Sequence, residues 1–294
     1  MMRKIAIISD SSSGYKTGDK PNLYIVPLLV NVNNKAKKGE LLSYHDQTEI
    51  TTDEIKELLE NDGLVVTTSQ PIIGEMMKLV GSIHEQYDEI YVVPVTSTVS
   101  GSQNTWNIVA EEFEKVKIVP QHMGGPMLKW MIEGIYELIE KNDCSYEKTV
   151  QLAIKLKESV YGILFVSDVK QLSHSGRVNK LITGAISFFN RKVIVTLDEQ
   201  GMKFYTLSKT FISAIDKAYD YLTTKVENFT DTSIDEIMFI PTYTKDDPEK
   251  IQLTMDKILK LFPNYKKKPR IEEMPTALLA HPGNNSLVVM LKLK

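Results

Sequence analysis

The chain has 294 residues, with 35 Lys and Arg against 38 Asp and Glu for a formal charge of −3, and is 42% apolar and 25% charged. This composition suits a globular chain with a sizeable core and gives no overall attraction to nucleic acid. The single cysteine, Cys144, excludes an intrachain disulfide or a thiolate metal cluster.

At the start, Met1-Met2-Arg3-Lys4 and four apolar residues precede Ser9-Asp10. That run is shorter than the apolar core of about 7 to 15 residues in a signal peptide, and reads as the first strand of a cytoplasmic protein. The longest apolar stretches, Leu23–Val30 and Tyr91–Val95, fall far short of the roughly 20 residues that span a bilayer.

Strand-like and helix-like runs then alternate, as in an α/β sheet with helices on its faces. Lys4–Ser9, Tyr24–Val32, Glu89–Val95 and Val116–Pro120 read as strands. Thr51-Thr52-Asp53-Glu54 has capping-box spacing and opens a helix to Glu60, with Ile55, Leu58 and Leu59 on one face. Pro71–His84 and Ser102–Glu114 read as helices, Pro126 opens another that Asn142-Asp143 breaks, and Tyr146–Glu158 is amphipathic.

From Tyr161 the pattern changes. Tyr161–Val166 and Arg191–Leu197 read as strands, separated by a polar loop and a helix-like Lys180–Phe189. Asp198-Glu199-Gln200-Gly201 suits a hairpin turn leading to Met202–Leu207. Helices at Thr210–Lys225 and Pro248–Phe262 and strands at Glu236–Pro241, Pro269–Met274 and Ser286–Leu293 complete the reading. The predicted fold is α/β with two domains: an N-terminal α/β/α sheet domain with mostly parallel strands, residues 1–158, and a C-terminal mixed α/β domain with antiparallel strands, residues 159–294.

Several loops carry groups that could do chemistry. Asp10 ends the first strand, where α/β sheets place functional groups, but Ser12 stands where a haloacid-dehalogenase-type phosphotransferase would need a second carboxylate. A capping role for Asp10 is the competing reading. Thr67-Thr68-Ser69-Gln70-Pro71 and Thr96-Ser97-Thr98-Val99-Ser100-Gly101-Ser102 each follow an apolar run and precede a helix. Their hydroxyls fit either helix caps or a shared site for a carboxylate or phosphate at one edge of the sheet. Arg177 in His174-Ser175-Gly176-Arg177 could bind an anion or be solvated, and His281 before Pro282-Gly283 could be structural or functional. No nucleophile elbow, phosphate loop, dinucleotide fingerprint or zinc motif is present, and the histidines at 45, 84, 122, 174 and 281 lack metal-ligand spacing.

Taken together, Ile8-Ser9-Asp10-Ser11-Ser12, Tyr44-His45-Asp46, Thr67-Thr68-Ser69-Gln70-Pro71, Thr98-Val99-Ser100-Gly101-Ser102, Ser175-Gly176-Arg177-Val178 and His281-Pro282-Gly283 resemble the DegV family of bacterial fatty-acid-binding proteins. The resemblance covers nearly the whole chain. It implies a non-enzymatic carrier with no cofactor, holding one long-chain fatty acid between or beneath its two domains. It also implies a partner, a fatty acid kinase that phosphorylates the bound carboxylate, and adds transient membrane contact to the expected interactions. Thr68, with Ser69 beside it, Ser100 and His281 would bind the carboxylate; Arg177 and Lys209 would face the kinase. Two departures stand out: the family's H-x-G-P-G block reads His281-Pro282-Gly283-Asn284-Asn285, and Lys209 replaces an arginine, losing its bidentate fork.

The chemistry of the residues agrees with this. An ionised carboxylate in an apolar site needs several donors, and clustered hydroxyls supply them without leaving a buried cation when the site is empty. Ile182, Ile186, Phe188, Phe189 and some of the 12 Met residues are candidates to line the acyl tail or simply to fill the core. Two other functions compete: a lipid-responsive sensor, and a hydrolase or acyltransferase with Ser100 as nucleophile and His281 as base.

Overall fold

The computed structural model describes residues 3–37, 40–167, 169–174, 192–198, 200–242 and 248–294. In chain order the first part holds β1 (Ile5–Asp10), β2 (Leu23–Val26), β3 (Leu29–Asn34), β4 (Leu41–His45), α1 (Thr52–Glu60), β5 (Leu64–Ser69), α2 (Ile73–Ile83), β6 (Glu89–Val93), α3 (Ser102–Glu112), β7 (Val116–Ile118), α4 (Leu128–Glu140) and α5 (Tyr146–Ser159). There follow β8 (Val160–Val166), α6 (Val169–His174), β9 (Lys192–Asp198), β10 (Gly201–Ser208), α7 (Phe211–Lys225), β11 (Ile234–Thr242), α8 (Pro248–Lys260), β12 (Arg270–Ile271) and β13 (Ser286–Leu293).

The strands form three sheets. The order β2-β1-β6-β7 is wholly parallel, β4-β3-β5 is antiparallel, and β10-β9-β8-β13-β11-β12 is antiparallel except for its last pair. Among the described residues, every strand from Val160 onward belongs to the six-stranded sheet. The result is the expected mixed α/β architecture.

Alternation along the strands sets the layers, because successive side chains point to opposite faces. In the parallel sheet Ile5, Ile7, Tyr91 and Val93 pack with Trp130, Met131 and Ile135 of α4, while Ala6, Ile8, Ile90 and Val92 pack with α2 and α3. In the six-stranded sheet Ile163, Phe165, Val289 and Leu291 lie in one core with residues of α7 and α8. The opposite face, with Leu197, Ile240, Val288 and Met290, shares its core with α4, α5 and the parallel sheet. That inner face positions the site.

Several elements differ from the sequence reading. The expected strand Tyr24–Val32 splits at Pro27 into β2 and β3, which enter different sheets; Leu28 donates its backbone N–H to Ser11 Oγ at 3.0 Å across the break. Thr67, Thr68 and Ser69 are strand, not a capping loop. α2 begins later and its N-cap, Ile72, makes no side-chain cap bond. Since β5 lies in the small antiparallel sheet, the two hydroxyl segments do not follow successive strands of one sheet. Pro126 sits in a 3-10 turn, Gly125–Met127, ahead of α4, and the strand expected at Pro269–Met274 shrinks to Arg270–Ile271. The polar loop after β8 contains α6. The capping box on α1 is present in both directions, and β9 and β10 pair antiparallel, with Gly201 at φ 97°. The expected helix Lys180–Phe189 lies outside the described residues.

Candidate functional site

A pocket of 140 Å³ opens where the inner face of the six-stranded sheet meets the end of β5 and the segments that follow β6 and β7. Its walls are largely apolar, and its polar side chains include Thr68, Ser69, Gln70, Thr96, Ser100 and His281. The structure thus places all four residues expected to bind the carboxylate on one pocket.

Each arrives by a separate route. The β-branched run of β5 favours a strand, and Thr68 continues the core-facing row of Val66, paired with Val30 as Val66 is with Val32. Its hydroxyl lies 3.0 Å from Nε2 of His281, 213 residues away in the chain. Ser69 Oγ accepts a hydrogen bond from Asn31 Nδ2 at 3.1 Å. Ser100 Oγ accepts the backbone N–H of Ser102, the first residue of α3, at 3.2 Å. A hydroxyl that accepts in this way keeps its own proton to donate. Ser100 is thus a turn acceptor rather than the helix cap, which is Gly101, and the Ser100 proton remains available.

Gln70 joins the two hydroxyl segments. Its Nε2 donates to Thr105 Oγ1 of α3 at 2.7 Å, and its Oε1 lies 2.5 Å from where a Cβ on Gly101 would stand. A side chain at residue 101 would displace the Gln70 amide from this position.

His281 follows the 3-10 turn Thr276–Ala280, which is anchored from two sides. Asp46, wholly buried, accepts the Ala277 N–H at 3.1 Å through Oδ1, while its Oδ2 has no hydrogen-bond partner among the described residues. Burial pushes the Asp46 carboxyl up to about 6, against the lowering effect of hydrogen bonds that include Ser11 and Ala277. Gln171 of α6 donates its Nε2 to Val66 O at 2.8 Å and to Ala280 O. One side chain thus ties the strand of Thr68 to the residue before His281. Reading the sequence missed Gln70, Asp46 and Gln171 as site-building residues. Their partners at 105, 277 and 280 are fixed only by tertiary contact.

Asp10 is structural. Its Oδ1 accepts the Ser12 N–H at 3.1 Å and the Ser12 hydroxyl, and its Oδ2 accepts the Val95 N–H at 2.7 Å, joining the ends of β1 and β6. Burial raises its pKa above the usual carboxylate range despite these bonds. Lys209 is exposed, between β10 and α7. Arg177 and the apolar candidates Ile182, Ile186, Phe188 and Phe189 lie outside the described residues. Four methionines, Met127, Met202, Met274 and Met290, do line the pocket. Among the described residues no cluster of His, Cys, Asp and Glu could hold a metal ion, and no helix is long and apolar enough to cross a membrane.

Fold and site define a layered α/β protein with a largely apolar pocket whose lining includes several hydroxyls and an imidazole. The sequence model of DegV, an uncharacterised protein family, matches residues 4–294, and the chain belongs to the DegV family. A DegV domain-containing protein of Mycoplasma pneumoniae, the MG326 homolog, is 23% identical over 301 residues, covering 99% of this chain and 98% of that one. A DegV family protein from Thermus thermophilus, solved in a study of fatty acid binding, superposes with a TM-score of 0.80 at 19% identity over 99% of this chain and 100% of the other. The Streptococcus pneumoniae Fatty Acid Kinase (Fak) B3 protein, loaded with linoleic acid, gives 0.76 at 18% identity over 99% and 100%. At such identities the likeness establishes the fold.

Proposed function

We propose that this protein is a carrier that binds one long-chain fatty acid in the cytoplasm and presents it to a fatty acid kinase for acyl-phosphate formation. The observation that carries this reading is the composition of the pocket: its lining is mostly apolar, Leu164, Ile240, Val288 and Met290 included, and Thr68, Ser100 and His281 line the same space, with Thr68 and His281 within hydrogen-bond distance of each other. Apolar walls favour an acyl chain by about 0.8 kcal/mol per buried methylene, and hydroxyl donors meet the carboxylate. Binding of this kind needs no cofactor. Solved structures of fold relatives loaded with fatty acids support the same reading.

The geometry favours a carrier over a Ser100 hydrolase. Nε2 of His281 lies at hydrogen-bond distance from Thr68, and the Ser100 oxygen is engaged by the Ser102 amide. A nucleophile needs its base within about 2.6 to 3.2 Å, and the base needs an orienting partner. Native mass spectrometry of the purified protein, before and after delipidation, separates these readings. A co-purified long-chain fatty acid that is lost on delipidation and regained on incubation is expected; slow ester turnover without retained lipid would support the hydrolase.

Presentation assigns Arg177 and Lys209 to the kinase and His281 to the lipid. Arg177→Ala should leave acyl affinity nearly unchanged and sharply reduce ATP-dependent acyl-phosphate formation, whereas His281→Ala should weaken lipid binding itself. Loss of lipid binding in Arg177→Ala, with His281→Ala intact, would make Arg177 the carboxylate's counter-ion.

A further inference from the structure

Residues of β13 line the pocket at increasing distance along the chain from His281. Ser286, at the start of β13, donates its hydroxyl to Pro282 O at 2.8 Å, beside His281. Val288 and Met290 follow on the same face and both line the pocket. At about 3.3 Å per residue, Met290 stands roughly 13 Å along the strand from Ser286. Among the described lining residues, none on β13 lies further along. The next residue on that face, Lys292, is not among the lining residues, and its ammonium lies 5.5 Å from the centre of the buried Trp130 ring.

Across the sheet, Met290 pairs with Gly162, Gly162 with Leu197, and Leu197 with Met202. Gly162 alone in this row has no side chain. A Cβ built there would stand 2.6 Å from Met290 Cε, 2.7 Å from its Sδ and 3.1 Å from Leu197 Cβ. The Met290 thioether therefore occupies the space that a side chain at residue 162 would fill. If the space were taken, the flexible end of Met290 would have to move, and the pocket that Met290 lines offers it room.

We propose that Gly162 and Met290 together set the length of acyl chain that the pocket accepts. The inference rests on the acyl-binding reading of the same pocket, but concerns its apolar end rather than its headgroup site. Gly162→Ala pushes the Met290 side chain into the lumen and shortens it. Met290→Ala removes the floor and lengthens it.

The test is a set of dissociation constants for delipidated wild type, Gly162→Ala and Met290→Ala. The ligands are saturated fatty acids from decanoate to arachidate and the n-alkanols of matching length. Gly162→Ala should move the optimum to shorter chains, each methylene that no longer fits costing about fourfold in affinity. Met290→Ala should move it to longer ones, in both ligand series. An unchanged optimum, or a uniform loss across all lengths, overturns the proposal. Length shifts among alkanols with no carboxylate bound would retain the proposal and overturn the headgroup reading. A wild type that binds neither series overturns both. Should Gly162→Ala fail to fold by circular dichroism, the direction of the Met290→Ala shift decides.

Discussion

Thr68 and Ser100 test the headgroup site most simply, because each can be changed without altering the apolar walls. A hydrogen bond to a charged group contributes roughly 1.5 to 3 kcal/mol, so Thr68→Val and Ser100→Ala should each weaken oleate binding by about tenfold or more. Two side chains that share one carboxylate should also couple. Calorimetric titration of both single variants and the double variant measures this, and strict additivity would place them on different ligands. Asp46 gives a pH-dependent signature instead. Its folded pKa of about 6 exceeds the ordinary aspartate value of 3.8, so the stability it confers is complete below 3.8 and is lost as pH rises through 6. The difference is on the order of 3 kcal/mol. The Glu49 and Glu75 contacts raise the His45 pKa, which acts in the same direction, so the wild-type curve alone does not isolate Asp46. Relative to Asp46→Asn, the wild type should therefore lose Tm between about pH 4 and 6. Parallel melting curves for the two proteins would exclude the assignment.

At the scale of elements, α6 and the 3-10 turn before His281 form one support. Gln171→Leu leaves the buried carbonyls of Val66 and Ala280 without this donor, which should cost about 2 to 3 kcal/mol of stability in denaturant titrations and weaken oleate binding with it. Unchanged stability and affinity would show that the two segments hold their place without it. The same elements show how far the sequence could be read. α1 was legible because capping box and apolar face are local signals, and the β9–β10 hairpin because its turn chemistry is. β4 was not, since its residues are exposed or half-buried and lack clean alternation. β5 was misread where it matters, because Thr-Thr-Ser before a proline has the look of a helix cap as well as of a strand end. Thr68, Ser100 and His281 were brought together by family resemblance. No local pattern links positions 68 and 281, and the Gln70–Gly101 crossing is visible only in three dimensions.

At the scale of the molecule, an ionic network ties the edge of the six-stranded sheet to α4, which packs on the parallel sheet. Arg270 makes paired hydrogen bonds of 2.9 and 2.8 Å to Glu133 of α4 and a third to Glu272, which also receives Lys129; Tyr15 donates to Glu133 at 2.9 Å. The bidentate geometry is specific to arginine, and the guanidinium is about a quarter exposed. Arg270→Ala should lower stability by about 2 kcal/mol, because it strands Glu133 while solvent screens part of the loss. Arg270→Lys should recover little of it, and full recovery would mean that charge alone matters.

These supports all converge on a pocket whose proposed contents can be measured directly. The decisive measurement is titration of the delipidated protein with palmitate and oleate. Saturable one-to-one binding at micromolar concentration or tighter is expected for at least one of them, weakened by Thr68→Val. Failure of both fatty acids to bind at micromolar levels would contradict the carrier reading.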